Sequence, residues 1–284
     1  LPLHSSMRRN FAAGLQNEVQ QALNALLEDD PFEFNTWYNN PAKYIHYPRY
    51  LERAMELLGE KHPSLNLLQS QLFYFKAYLL KNYHLFKSNN KEDFLKNRME
   101  IKHLYEEALK YNPDAAFLYH GIENLYFDKV IYAFDSIQRY FDFANSLAPQ
   151  WITPYHDYYD ITLNTEVNLE KADSILGKAL QVRPESYLVR LMYAWQKQRE
   201  GKVKAADSTC FALIKERPEL HNAWSTMVQT HWEINDWKRV LEYAEKSFLV
   251  YPDSINWASV FYYDALIQCN LVDKAKKFRA KFES

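Results

Sequence analysis

Glycine is scarce: five residues in 284, where ordinary usage of about 7% would give about twenty. Gly14, Gly59, Gly121, Gly177 and Gly201 form neither G-x-G-x-x-G nor G-x-x-x-x-G-K-[ST], so no glycine loop for cradling phosphates is written here. Sheet-rich folds turn on glycine repeatedly, so the shortage favours helices. The two cysteines, Cys210 and Cys269, form no C-x-x-C and are read as small core fillers rather than a bridge. No sign of charge dominates, with 34 Lys plus Arg against 36 Asp plus Glu. The basic excess that marks a nucleic-acid binder is missing, and no apolar run approaches the roughly 18 residues of a membrane span. The chain opens Leu1-Pro-Leu-His without an initiator Met or a signal-peptide core, so it reads as processed or excised. Its compartment is left open.

Catalytic and metal signatures are also missing. There is no H-E-x-x-H, no G-x-S-x-G and no Cys/His set with zinc spacing. The nine histidines are scattered. No cofactor, metal or catalytic group is expected. Asp157 and Asp160 stand three apart on one helical face, a pairing glycosidases use across the bond they cut. No partner cluster accompanies them, so a solvated or groove-lining role is expected.

Aromatics are plentiful, 16% of residues with 22 tyrosines, and a repeat is written in proline. Pro113, Pro149, Pro184, Pro218 and Pro252 follow one another at gaps of 36, 35, 34 and 34 residues, each after an apolar-periodic run. Proline disfavours the α conformation in the residue before it, so each is expected to end a helix and let another begin. Asp114 and Asp253 follow where an N-cap acceptor is useful. Before the prolines comes A-x3-L-x2-A-x4-P: Ala172, Leu176, Ala179, Pro184, then Ile137, Phe141, Ala144, Pro149, and Ile101, Tyr105, Ala108, Pro113. Ala206, Cys210, Leu213 and Pro218 keep part of it. Steps of four and three put these residues on one face, where small side chains let a neighbouring helix approach. About thirty residues before the prolines, Tyr119, Tyr155 and Trp224 open a first helix.

This pattern resembles the tetratricopeptide repeat, a 34-residue helix-turn-helix unit. Trp224 matches its leading tryptophan, and Ala172, Ala179 and Pro184 match its second-helix alanines and terminal proline. The small residue expected in the first helix is instead Glu123, Tyr159 and Val228, with only Ala194 conforming. The resemblance implies an all-α, right-handed superhelical solenoid of about six to seven helix hairpins. Residues 64–284 read as the repeat array and 1–63 as an N-terminal helical capping region. In that region a first helix (15–28) precedes the aromatic connector Pro31–Pro48, expected to cover the end of the array, with a ligand loop as the alternative. The surplus of the unit 64–113 is placed at Asn82–Asp93.

The resemblance further implies a scaffold that binds a peptide or protein in a groove lined by first helices. Aligning on the prolines gives the candidate partner-binding residues Tyr74, His120, Asn124, Asp160, Trp195, Arg199, Gln229 and Trp232. Aromatic anchors among amides and charges suit a bound segment; the bland alternative is that Trp195 and Trp232 pack between repeats. Some family members clamp the acidic tail of chaperones with basic residues on successive first helices. Those places hold His120, Leu188 and Met192 here, with Asp157 between, so no such tail is expected to bind. Two other readings are open to the sequence. One is a regulatory or sensor segment of a larger protein whose catalytic domain lies elsewhere. The other is a helical-toroid glycan-active enzyme, for which the period is short and no acids converge.

Overall fold

Left-handed residues and prolines set where the helices stop, and small apolar stripes set how they pair. The computed structural model describes residues 2–83, 91–127, 133–250 and 257–280. The described chain folds into fifteen α-helices and has no strand. It divides into two units, residues 1–172 and 173–284. The first contains α1 (Pro2–Leu27), α2 (Pro31–Asn39), a 3-10 turn (Pro41–Tyr44), α3 (Tyr47–Leu58), α4 (Leu65–Tyr83), α5 (Lys91–Tyr111), α6 (Ala116–Glu123), α7 (Phe134–Leu147), α8 (Thr153–Asn164) and the start of α9 (Leu169–Val182). The second holds the rest of α9, then α10 (Tyr187–Arg199), α11 (Val203–Glu216), α12 (Asn222–Glu233), α13 (Trp237–Val250), α14 (Trp257–Gln268) and α15 (Val272–Ala280).

Neighbours pair as hairpins: α1 with α3, α4 with α5, α6 with α7, α10 with α11, α12 with α13 and α14 with α15. The α9 residue Lys171 meets α8 with its ammonium 5.3 Å from the centre of the Tyr158 ring. Six hairpins are thus formed among the described residues, within the expected range. The second-helix stripe is buried throughout: Ile101, Tyr105 and Ala108 on α5, Ile137, Phe141 and Ala144 on α7, Ala172, Leu176 and Ala179 on α9, and Ala206, Cys210 and Leu213 on α11. The same spacing recurs in Val240, Ala244 and Ser247 on α13 and in Tyr47, Leu51 and Ala54 on α3, all buried.

Helices α5, α7, α9 and α11 end two residues before their prolines, as expected. The exception is α3, which stops at Leu58, because Gly59 leaves the helix at φ 79° before Pro63 is reached. The cap of α6 is Ala115, which makes no side-chain bond, so Asp114 does not serve there. Asp253 lies outside the described residues, as does most of the Asn82–Asp93 surplus. Within hairpins a second periodic signal appears. Val167, Gly201, Asn235 and Asn270 have φ of 52°, 70°, 60° and 58°. After three of them an amide closes a six-residue ring: Lys202 N to Lys197 O, Asp236 N to His231 O and Leu271 N to Leu266 O, at 2.8–2.9 Å. This is the Schellman closure, which needs a left-handed residue just past the helix. Asp29 at φ 58° closes α1 in the same way, through Asp30 N to Ala25 O at 2.9 Å.

The cysteines part company. Cys210 is buried, and burial pushes its thiol up to about 12, whereas Cys269 is exposed at the end of α14 and fills no core. Cys269 follows Gln268, the last residue of α14, where the chain leaves the helix.

Candidate functional site

The connector is a helix with a short turn, and it lies against the first helices. Asp30 accepts from Glu33 N at 2.8 Å and Pro31 opens the first turn. An acceptor before a proline at N1 is a strong helix start. Phe34, Trp37 and Tyr38 follow at i, i+3, i+4, the spacing of one helical face. Trp37 stacks on Tyr74 of α4 with ring centres 5.7 Å apart and touches Tyr78 at 3.8 Å. The Tyr78 hydroxyl donates to Trp37 O at 2.6 Å. Phe34 meets the His156 ring of α8 edge-on at 4.9 Å. Glu33, buried, accepts from Lys43 at 2.5 Å and from the Tyr44 hydroxyl at 2.6 Å, tying the 3-10 turn back to α2.

Upstream, the chain is fastened to the start of α8. The Trp151 indole donates to Leu26 O at 2.9 Å. The Asp29 carboxylate accepts from Ile152 N at 2.7 Å, Thr153 N at 2.8 Å and the Thr153 hydroxyl at 3.0 Å. A carboxylate on free amides at a helix N-terminus uses charge, hydrogen bonds and dipole together.

Asp157 of α8 is the polar centre of this region. Its Oδ2 accepts from the Tyr38 hydroxyl at 2.5 Å and from His120 Nε2 at 2.9 Å; its Oδ1 accepts from His156 Nδ1 at 2.9 Å. Burial alone would raise the acid, but the bonds and charge of the two histidines outweigh it and hold it well below the usual carboxylate range. Tyr38 as a whole is 40% exposed, yet its hydroxyl reaches the buried Asp157. Burial first and the Asp157 charge second push it up, so it remains a donor. Glu123 of α6 is the converse. It is 0% exposed, neither carboxylate oxygen has a hydrogen-bond partner, and burial followed by the charges of Asp157 and Asp142 raises it far above the usual range.

Asp157 and Asp160 therefore differ from the expectation of a solvated or groove-lining pair. Asp157 is 7% exposed and fully engaged, while Asp160, one turn on, is exposed and accepts from Asn164 at 2.7 Å. Both histidine nitrogens close to Asp157 are spent on its oxygens. Among the described residues no group of three or more His, Cys, Asp or Glu is arranged to hold a metal ion. No helix among them is long and apolar enough to cross a membrane.

The other candidate residues divide by unit. In residues 1–172, Tyr74 and His120 are buried beside α2 and Asn124 is half-buried. In residues 173–284, Trp195 of α10 and Gln229 and Trp232 of α12 are half-buried, while Arg199 and Glu233 beside them are exposed. First helices α10, α12 and α14 are neighbours. Each tryptophan reaches the next one: Trp195 Nε1 donates to Thr226 Oγ1 at 2.9 Å and Trp232 Nε1 to Asp264 Oδ2 at 2.5 Å. Their N–H groups are thus spent inside the chain, and the Trp232 ring packs on Phe261 of α14 with centres 5.0 Å apart. Sequence reasoning passed over Asp29, and it placed Phe34 and Tyr38 in the aromatic connector without assigning them partners. The one signal for them was Asp30-Pro31 followed by aromatics at helical spacing.

No protein-family model matches the sequence, and no curated protein matches it. Solved structures do. A tetratricopeptide repeat protein from Parabacteroides merdae superposes with a TM-score of 0.59 at 14% identity, covering 93% of each chain. PilW, a type IV pilus biogenesis factor, gives 0.55 at 14% identity over 78% of this chain and 94% of its own. Yeast Tom70 gives 0.55 at 16% identity over 92% of this chain and 59% of its own. At such identities the likeness concerns the fold. Helix pairs at a 34-residue period, a buried small-residue stripe and these superpositions agree: the chain has the tetratricopeptide-repeat fold.

Proposed function

We propose that the chain is a non-catalytic scaffold that binds a peptide or protein segment, and that the first helices of residues 173–284 carry the recognition surface. The observation behind this reading is the set Trp195, Gln229 and Trp232, half-buried on neighbouring helices and flanked by exposed Arg199 and Glu233. Aromatic anchors with a charged rim are the usual anatomy of an interface. In residues 1–172, Asn124 and Asp160 are the candidate residues not sealed by α2. A catalytic reading finds little support, since the acids Glu123 and Asp157 are both buried and Asp157 is already saturated with donors. Nucleic acid and acidic chaperone tails are not proposed as partners, for want of a basic cluster.

The test is selection of peptides from a random display library against the whole chain, followed by affinity measurement on variants. Truncating a desolvated aromatic anchor costs about 2 kcal/mol or more of binding. Trp195→Ala and Trp232→Ala also lose an indole bond to the next helix, so melting curves accompany them. Arg199→Glu reverses the charge of an exposed residue, and Gln229→Ala gives up a 3.4 Å bond to exposed Glu233 one turn on; melting curves accompany these as well. A loss of tenfold or more in at least one of these surface variants, with melting unchanged, is the expected outcome. Unchanged affinity in all four folded variants would remove this surface.

A further inference from the structure

The first-helix face of residues 1–172 is occupied by a segment of the same chain. Helix α2 presents Phe34, Trp37 and Tyr38 to that face, and these meet α4 through Tyr74 and Tyr78 and α8 through His156 and Asp157. His120 of α6 completes the Asp157 pair from below. A short amphipathic helix laid with i, i+3, i+4 anchors on an aromatic surface is one of the recurring ways proteins recognise segments of other chains. Here the arrangement occurs within one chain, between parts distant in sequence.

Other details resemble a docked ligand. The segment has its own N-cap at Asp30 and its own internal tie, Glu33 to Lys43 and Tyr44, so its local structure is largely specified by itself. Its exposure is confined to its two ends, Phe32 at the start and Tyr38, Asn39 and Asn40 at the close, while residues 33–37 are buried. The face beneath offers matched chemistry, with ring surfaces for two anchors and an ionised carboxylate, Asp157, for one hydroxyl donor.

We propose that residues 29–44 are a built-in ligand of this face, and that a partner segment of the same chemistry competes for it. That chemistry is a short helix with an acidic N-cap, aromatic residues at i, i+3 and i+4, and a hydroxyl on the last of them. The face is closed while α2 lies on it and becomes a second recognition surface when α2 lifts. This extends the reading that first helices recognise segments, but the two fail separately: Trp195, Gln229 and Trp232 belong to residues 173–284 and take no part here.

The probe is a fluorescent synthetic peptide of residues 29–44, titrated into the wild-type chain and into the double variant Phe34→Ala/Tyr38→Phe, which loosens the internal copy. A peptide with alanine at positions 34 and 37 is the control. Binding at least tenfold tighter to the variant than to wild type, and absent for the control, is expected. Equal affinity for both proteins, or none for either, overturns the proposal. Hydrogen exchange on the wild-type chain decides the matter should the double variant fail to fold. Amides of 34–39 are then expected to exchange at least tenfold faster than those of α4 and α8, through an opening confined to the segment. Exchange of 34–39 only together with α4 and α8 would make the segment an inseparable part of the core and overturn the proposal.

Discussion

Two carboxylates one helix apart, Glu123 and Asp157, are driven in opposite directions by their surroundings. Asp157 sits among donors and is held below the ordinary range, so its stabilisation is present above about pH 3.9, the unfolded value, and is lost as pH falls below it. Glu123 has no donor and is raised, so it costs nothing below about pH 4.3, and the penalty grows as pH climbs toward its folded value. Glu123→Gln is therefore expected to stabilise the chain at pH 7 by about 1 kcal/mol or more, with the gain shrinking toward zero by pH 4. Urea unfolding at pH 4, 5.5 and 7 measures it; a gain independent of pH would contradict the assignment. Asp157→Asn should act the other way, costing about 3 kcal/mol at neutral pH, since breaking a buried charged pair leaves its partners uncompensated. Neither role was visible beforehand. Glu123 stood out only as a departure from the family's small residue, and Asp157 looked like half of a surface pair, because spacing along one helix says nothing about what a distant segment places over it.

Among the elements, the turns inside hairpins carry a rule and one exception to it. Gly201, Asn235 and Asn270 are residue types that tolerate the left-handed region, but Val167 is β-branched, at φ 52° and 71% exposed. An L-residue with a Cβ loses roughly 1–2 kcal/mol there, and an exposed valine has no packing to lose. Val167→Gly is expected to stabilise by about 1 kcal/mol, read as a shift in the urea midpoint at constant slope. Asp30→Ala should cost about 1 kcal/mol through the lost cap of α2. The reach of sequence reasoning divides along the same line. Second helices were legible because prolines and the small-residue stripe act locally, within one or two turns. Asn235 and Asn270 repeat at the same period and could have been read, whereas Val167 could not, because a β-branched residue is among the last that the left-handed region selects. Helix α2 was legible as aromatic but not as a helix on the inner face, since nothing in Pro31–Pro48 names Tyr74 or Asp157.

For the molecule as a whole, most packing is between neighbours in sequence, and such repeat chains unfold as coupled segments rather than as one block. Tryptophan reporters are well distributed for testing this: Trp37 and Trp151 lie in residues 1–172, Trp195 and Trp232 in 173–284. Variants retaining one reporter each are expected to show guanidinium midpoints that differ between the two groups; coincident curves would point to a single cooperative unit. Against this local background, the bonds from Leu26, Asp29 and Tyr38 to Trp151, Thr153 and Asp157 span 119 to 125 residues. Long loops close slowly, and a chain made on the ribosome emerges at about 5–20 residues per second. Residues 29–38 therefore leave the ribosome roughly 6–25 s before the surface that receives them is complete. Through that interval α4 can already cover Trp37, but Phe34 and Tyr38 lack the His156 and Asp157 that receive them, which makes the youngest form of this protein the one most open to chaperones and to its own neighbours on the polysome.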